Sequence, residues 1–176
     1  MIIMNIVKHM KKVLIFTGPG GAGKTTIAKL IEKQCGYVFL DGDNEDTEFF
    51  PQGGQWIPEN SKNLQKAHDK ILNKAIKLFQ EGNKVVIDYI IFGHYTEFIN
   101  KFKKTFGNDL QIVVLFPVQS EAVIRDKERE CWTTGEKRIK DVYCEFDKIR
   151  NEIGEENYID TSGQTPEETF QKYFKC

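Results

Sequence analysis

The fold of this chain is decided by residues 18–25, which read Gly18-Pro19-Gly20-Gly21-Ala22-Gly23-Lys24-Thr25. An apolar run that ends before Thr17 precedes this stretch, and a helical run over residues 26–34 follows it. Glycines at this spacing let successive backbone N–H groups turn inward around phosphate oxygens. The helix adds its unpaired N–H groups and the positive end of its dipole. A glycine-rich turn with a chance lysine is the alternative, but strand, loop and helix are in register, so we predict a nucleotide-phosphate site.

The residues of this loop have distinct predicted roles. Lys24 would reach the β- and γ-phosphates as a catalytic group, and the Thr25 hydroxyl would ligate Mg2+. The predicted nucleotide-binding residues are Gly18, Gly20, Gly21, Ala22, Gly23, Lys24, Thr25 and Thr26. We therefore expect ATP and Mg2+ as cofactors, and the sequence leaves the choice between ATP and GTP open.

Size and composition indicate a single domain over residues 1–176. The chain is long enough to bury a full core, and its 40% apolar and 29% charged residues are ordinary for a globular protein. A net charge of −1 favours neither a membrane nor nucleic acid as a partner, and we expect a monomer or a weak homodimer. The four cysteines lack metal-binding spacing, so we expect reduced thiols in a cytoplasmic protein, without disulfides or zinc. Residues 1–9 are too short for a signal or membrane segment and are interpreted as an N-terminal extension.

Continuous apolar runs predict a parallel sheet. Runs at residues 13–16, 37–40, 85–87 and 112–116 show no in/out alternation, which is typical of strands covered on both faces. Residues 158–160 are interpreted as a short fifth strand. Helical stretches separate these runs, so we predict an α/β fold of three layers, with a five-stranded parallel sheet and helices on both faces.

The helices are predicted from apolar periodicity and capping residues. We place them at residues 60–81, 96–106, 121–130 with Ser120 as N-cap, 137–153, and after Thr165, which precedes a proline and has Glu168 three residues on. The longest irregular stretch is 49–60, where a lid or substrate loop would lie. Gln55 and Trp56 in this stretch either contact an acceptor or pin the loop to the core. His68 and His94 each stand alone and are interpreted as surface or structural residues.

Two carboxylates follow the second predicted strand, in the sequence Asp41-Gly42-Asp43-Asn44. The carboxyl ends of parallel strands face the ligand crevice. One carboxylate there could hold Mg2+ through water while the other accepts a proton from a substrate hydroxyl. A plain turn is the alternative, because Asp-Gly-Asp is common turn chemistry. Beside the phosphate loop we favour the functional interpretation.

A third acid, Asp88, ends the third predicted strand. An acid at the end of an apolar strand is typical of a segment that holds a metal-bound water opposite the loop threonine. Asp88 is therefore predicted as a metal-side residue together with Thr25 and Asp41. The alternative is a strand-ending Asp that caps the following turn.

The phosphate loop followed by Asp-Gly-Asp-Asn resembles the small-molecule kinases of the P-loop superfamily. These include shikimate, gluconate, adenylylsulfate and chloramphenicol kinases, the polynucleotide-kinase-like branch and AAA_33-type ATP-binding proteins. The resemblance implies a P-loop NTPase fold like that of nucleoside-monophosphate kinases, with a helical lid. It implies that Asp41 assists the metal and that Asp43 contacts the acceptor. It also implies that the loop at 160–163, with Thr161 and Ser162, wraps the adenine.

The same resemblance implies a mobile lid after the fourth strand, at about residues 125–140. Kinases of this class use lid arginines to neutralise charge on the transferred phosphoryl group. Arg129 is accordingly predicted as catalytic, and Arg125 and Arg138 as nucleotide-binding. The alternative is a solvated helix, because residues 125–130 alternate in charge.

These features predict an ATP- and Mg2+-dependent kinase that phosphorylates a hydroxyl of a small molecule. A nucleotide or polynucleotide-end kinase is an alternative, disfavoured because no basic stripe is visible outside the lid. A regulatory NTPase without a small acceptor is an alternative of another class. A kinase needs a base at Asp43, whereas an NTPase needs only a positioned water. The sequence does not identify the acceptor, which depends on residues 44–60.

Overall fold

The computed structural model describes residues 10–91, 93–130, 133–174 and 176. Within these residues five strands form one sheet in which every neighbouring pair is parallel. They are β1 (Val13–Thr17), β2 (Tyr37–Asp41), β3 (Lys84–Asp88), β4 (Leu110–Leu115) and β5 (Tyr158–Ile159). Their order in the sheet is β2-β3-β1-β4-β5. The predicted five-stranded parallel sheet is therefore confirmed.

Helices cover both faces of this sheet. They are α1 (Lys24–Cys35), α2 (Gly42–Asp46), α3 (Ser61–Gln80), α4 (Tyr95–Phe106), α5 (Gln119–Lys127), α6 (Glu136–Lys148), α7 (Arg150–Ile153) and α8 (Pro166–Tyr173). Short 3-10 turns occupy Pro58–Asn60, Gly107–Asp109 and Glu155–Asn157. Within the described residues, no helix is both long enough and apolar enough to span a bilayer.

The central strand β1 shows why the apolar runs lack alternation. Val13 and Ile15 pack with the side chains of α3, α4 and α6, whereas Leu14 and Phe16 pack with those of α1 and α8. Both sets are fully buried. Burial of both faces stabilises the sheet by about 25 cal/mol for each Å² of apolar surface removed from water. It also fixes the register that brings the strand ends together.

Two helix predictions differ from the structure, and a third segment forms a helix that was not predicted. Ser120 is the second residue of α5, whose N-cap is Val118, and the Val118 N–H donates to the Ser162 hydroxyl at 2.8 Å. The predicted helix at 137–153 is two helices, α6 and α7, with a break at Ile149 that lets Ile153 reach the core. The turn after β2 is the short helix α2. Its N-cap is Asp41, whose carboxylate accepts the Asn44 N–H at 3.0 Å, a role for which Asp is well suited.

The C-terminal helix confirms one prediction and corrects another. Thr165 and Glu168 form the predicted capping box at the start of α8. The expectation that all four cysteines are reduced is wrong, because Cys35 at the end of α1 and Cys176 form a disulfide, with their Cα atoms 5.1 Å apart. The bond ties the chain end to the helix that follows the phosphate loop. Cys144 is an exposed free thiol.

Candidate active site

The phosphate loop has a backbone that requires glycine at two positions. Gly18 and Gly21 have φ angles of +132° and +73°. A Cβ at Gly18 would overlap the carbonyl oxygen of Leu115, and one at Gly21 would overlap that of Ala122. Side chains are therefore excluded both by conformation and by neighbouring backbone. The loop is fixed against β4 and α5, with its N–H groups at the start of α1.

A cavity of about 310 Å³ opens at this loop. It is lined by Gly21–Ile27 of the loop and α1, by Arg125 and Arg129 of the region after β4, and by Thr161, Gln164, Pro166 and Thr169. Sequence reasoning expected the whole loop, Thr26, Arg125, Arg129 and Thr161 to share one site, and the structure brings them together around this cavity except for Gly18 and Gly20, which do not line it. Ser162 does not line this cavity, because its hydroxyl is bonded to the backbone of Val118.

Lys24 lies folded back on its own loop. Its Nζ donates to the carbonyl of Pro19 at 2.9 Å, and the side chain is buried. Burial lowers the pKa of the Lys24 ammonium, and the nearby carboxyl groups of Asp88 and Asp43 act against that shift. The ammonium therefore interacts electrostatically with both acids.

The predicted metal-side residues Asp88 and Thr25 contact each other. The Thr25 hydroxyl donates to Oδ2 of Asp88, whereas the buried Oδ1 has no partner among the described residues. Burial raises the pKa of the Asp88 carboxyl, and Lys24 partly offsets this. A hydroxyl beside an orphaned carboxylate oxygen fits Mg2+. The described residues contain no group of three or more His, Cys, Asp or Glu that could hold a metal by themselves, so phosphate oxygens and water would complete the coordination.

Asp41 is the N-cap of α2, and Asp43 is the second residue of that helix. Asp41 is level with Asp88 in the β2–β3 register, so it lies beside that predicted metal-side residue while also capping α2. Burial and the negative charge of Asp88 raise the pKa of the Asp43 carboxyl to about 7. The positive charge of Lys24 lowers this pKa, but by less than Asp88 raises it. A carboxyl with a pKa near neutrality is well matched to accept a proton at physiological pH.

A buried group that sequence reasoning missed lies one helical turn after Asp43. Asp46 is 0% exposed and accepts hydrogen bonds from the Tyr89 hydroxyl and from Nε2 of Gln55, each at 3.3 Å. Burial raises its pKa to about 6. The i, i+3 spacing from Asp43 was the available signal, because it places both acids on one side of a helix. Sequence reasoning predicted no helix over these residues, so the spacing went unused.

Lysines of α3 hold α2 in place. Lys70 donates to the carbonyl of Glu45 at 3.0 Å and pairs with the Glu48 carboxylate at 3.0 Å. Lys74 pairs with Glu45 at 2.6 Å. These contacts fix the short helix that carries Asp43 and Asp46.

Arg125 links α5 to the loop after β5. Its guanidinium donates to the carbonyls of Thr161 at 3.0 Å and Gln164 at 3.3 Å, and it pairs with Glu121. The predicted adenine loop is thus held at the edge of the nucleotide cavity. Arg129 lines the same cavity, with Nη1 3.4 Å from Oδ1 of Asp126.

Arg138 lies elsewhere. It does not line the nucleotide cavity but faces a second cavity, where it pairs with Glu145 at 3.1 Å and lies 5.3 Å from the ring centroid of Trp56. The structure therefore does not bring it together with Arg125 and Arg129. Its role in nucleotide binding stays a prediction.

The end of the predicted lid is attached to Asp126. This carboxylate is 1% exposed and accepts the N–H groups of Thr134 at 3.1 Å and Gly135 at 3.0 Å. Burial acts to raise the pKa of the Asp126 carboxyl. The hydrogen bonds from these two N–H groups lead the interactions that lower it, and the pKa lies below the ordinary Asp value. Thr134 packs directly on Gly20 of the phosphate loop. Cys131 and Trp132 of the predicted lid lie outside the described residues. Sequence reasoning did not identify Asp126, because residues 125–130 alternate in charge as a solvated helix does.

Asp126→Asn is expected to loosen this attachment. An amide offers one acceptor oxygen where the carboxylate offers two, so one of the two backbone N–H groups loses its partner. A lost hydrogen bond of this kind costs about 1–3 kcal/mol, so amide exchange over residues 133–136 should accelerate about 5- to 100-fold. Hydrogen exchange measured by mass spectrometry checks this. Asp141→Asn, at an exposed position of α6, is the matched control, and equal exchange in both variants would contradict the attachment.

The fold and the site define a P-loop nucleotide-binding protein. Residues 13–140 match the family described as AAA domain (AAA_33), and the chain belongs to that family. The predicted resemblance to P-loop kinases is confirmed at this level.

Named relatives of the chain are kinases. The chain is 33% identical over 101 residues to adenylyl-sulfate kinase of Thermodesulfovibrio yellowstonii, and this match covers 54% of the chain and 44% of the relative. The chain is also 27% identical over 128 residues to adenylate kinase of Thermotoga maritima, and this match covers 66% of the chain and 57% of the relative. The chain thus spans about half the length of these two relatives. A gluconokinase structure from Sinorhizobium meliloti shares the fold, with a TM-score of 0.64 and 17% identity over 94% of this chain and 90% of that one.

Proposed function

We propose that this chain is a kinase that uses ATP and Mg2+ to phosphorylate a hydroxyl of a small molecule. The observation that carries the proposal is the contact of the Thr25 hydroxyl with the buried Asp88 carboxylate at the phosphate loop, next to the helix α2 that carries Asp43. The Asp43 carboxyl would supply the base that a kinase needs, whereas an NTPase needs only a positioned water. The names of the two sequence relatives support phosphoryl transfer.

Each residue of the site has a role in this reaction. The loop N–H groups and Lys24 would hold the β- and γ-phosphates, and Arg129 would neutralise charge that develops on the transferred group. Thr25 and Asp88, with Asp41 nearby, would hold Mg2+, which supplies charge neutralisation to the phosphates. Asp43 would accept the proton of the acceptor hydroxyl. The hydroxyl oxygen bonds to the γ-phosphorus as the bond from that phosphorus to the β–γ bridging oxygen breaks, leaving ADP.

The acceptor would occupy the second cavity, which measures about 480 Å³. It is lined by Gln55–Pro58, Ser61, Leu64, Gly93–Tyr95, Arg138 and Glu145. Gln55 connects it to the acids, because its side chain lines the cavity and also donates to Asp46. A nucleotide acceptor is the second candidate, favoured by the match to adenylate kinase.

A transfer assay tests the proposal. The protein is incubated with Mg2+, a metabolite mixture and ATP labelled at the γ-phosphate, and ATP hydrolysis without acceptors is followed in parallel. We expect label in at least one organic phosphate and transfer faster than hydrolysis. Hydrolysis alone, with no labelled acceptor, would favour a nucleotide-binding switch.

A further inference from the structure

The polar side chains around the second cavity are largely bonded to each other. Ser61 Oγ is 2.6 Å from Nε2 of His94, and Glu145 accepts hydrogen bonds from both Tyr95 and Arg138. Gln55, as noted, is bonded to Asp46. An acceptor rich in hydroxyl groups would have to break these pairs, because each of its own hydroxyls needs a partner when buried.

The apolar part of the wall is exposed instead. Trp56 is 53% exposed and Ile57 is 42% exposed, and both line the cavity, whereas Leu64 in the same lining is buried. The guanidinium of Arg138 lies 5.3 Å from the Trp56 ring centroid, within the range of a cation–π contact. A half-exposed indole in a concave wall is suited to stacking against a second flat ring.

The segment that carries Trp56 has a defined shape. Gly54 has a φ of +97°, its carbonyl accepts the Ile57 N–H at 3.0 Å, and it also accepts the Asn60 side-chain amide at 3.0 Å. His94, which also lines the cavity, has a φ of +43°, and it is the one non-glycine residue with positive φ in the described ranges. Strained backbone of this kind persists where the surroundings hold it and is concentrated at ligand sites. The cavity is therefore preorganised, which lowers the entropic cost of binding.

We propose that the part of the acceptor recognised here is a flat aromatic or heteroaromatic ring, which stacks on Trp56 with the accepting hydroxyl directed toward Asp43. This inference rests on the proposed function, and it narrows the acceptor from any small alcohol to one that carries such a ring. Acyclic polyols and plain sugars are then poor acceptors, because they offer no flat apolar face to the indole.

Binding of matched probes tests the inference. Adenosine and D-ribose share their sugar hydroxyls and differ in the ring, and cytidine and 4-(hydroxymethyl)pyridine extend the ring set. Titrations are run with Mg2+ and a saturating non-hydrolysable ATP analogue, so that the nucleotide cavity is occupied. We expect at least one ring compound to bind tenfold or more tightly than D-ribose or D-gluconate. Trp56→Leu should weaken that compound about 10- to 100-fold, the range found for ring stacking on aromatic side chains.

Three variants make the result decisive. Trp56→Phe keeps a ring and should restore binding to within a few-fold of the parent, and Ile124→Ala, which removes a 55% exposed apolar side chain outside both cavities, should change nothing. If no ring compound binds more tightly than D-ribose, or if Trp56→Leu binds as the parent does, the inference is overturned. Phosphate transfer to a polyol in preference to every ring compound also overturns it while the kinase assignment stands. Ring binding that depends on Trp56, without transfer to any acceptor, supports the ring site and counts against the kinase.

Discussion

Asp43→Asn is expected to lower the rate of phosphoryl transfer by about 100- to 10,000-fold, the usual cost of losing a general base. The amide keeps the size of the side chain but does not accept the proton. ATP affinity should stay within a few-fold of the parent, because the phosphate loop and Lys24 are unchanged. The measurement is the initial rate of transfer from labelled ATP to an acceptor found in the assay above, beside the dissociation constant of an ATP analogue.

The pH dependence of transfer gives a second readout of the same substitution. With a pKa of about 7 for Asp43, kcat/KM of the parent should rise as pH increases through that value. Asp43→Asn should lack this rise. A parent profile that is flat between pH 5.5 and 8.5 would contradict a base at Asp43.

The same carboxyl should also make the unliganded protein less stable at alkaline pH. The folded state binds the Asp43 proton more tightly than the unfolded chain does, because the pKa is about 7 when folded and near 3.8 when unfolded. Its contribution to stability is full below pH 4 and is lost as pH rises toward 7. Asp43→Asn should therefore be more stable than the parent at pH 8 by up to about 4 kcal/mol, because each pKa unit is worth about 1.4 kcal/mol, with little difference at pH 4. Thermal unfolding at the two pH values measures this.

Asp41→Asn is the control for Asp43→Asn, because it makes the same change to the other acid of this segment. Asn caps a helix about as well as Asp, so α2 should stay folded. If Asp41 holds the metal through water, the variant should lose rate in a way that added Mg2+ partly restores. Loss of transfer in Asp41→Asn but not in Asp43→Asn would contradict the assignment of the two acids.

The parts of this molecule that could be predicted from sequence are those with a local cause. The phosphate loop is specified by eight consecutive residues, and the strands by apolar runs that are buried on both faces. Asp41, Asp43 and Asp88 could be placed because each follows or ends a strand, and parallel strands end at one edge of the sheet. The capping box at Thr165 is likewise contained in four residues.

The parts that could not be predicted depend on tertiary contacts. Asp126 is a lid anchor because Thr134 and Gly135 fold back on it, and in sequence it is one charge among several on α5. Arg138 is three residues from Gly135, yet α6 directs it to Trp56 and away from the nucleotide cavity. Spacing along one helix identifies a shared face, but which cavity that face meets is decided by how the helix packs.

The disulfide between Cys35 and Cys176 is the clearest long-range feature, because 141 residues separate the two cysteines. Composition and the lack of paired spacing predicted free thiols, and only the packing of α8 on α1 brings the chain end to Cys35. Phe170 and Phe174 bury their rings in the apolar cluster that contains Ile27 and Ile31 of α1. The bond therefore closes over a packed helix pair whose first turns border the nucleotide cavity.

Reduction of this bond is expected to lower the melting temperature of the protein by roughly 5–15 °C, because a disulfide that closes a long loop contributes about 2–4 kcal/mol and each kcal/mol is worth a few degrees at this size. Cys176→Ser should melt at the temperature of the reduced parent and should not respond to dithiothreitol. Cys144→Ser, at the exposed free thiol, should respond as the parent does. Melting followed by circular dichroism with and without reductant makes the comparison. Identical melting of the oxidised and reduced parent would mean that the bond contributes nothing, and the stability of the α1–α8 pair would then rest on the packing of Phe170 and Phe174 alone.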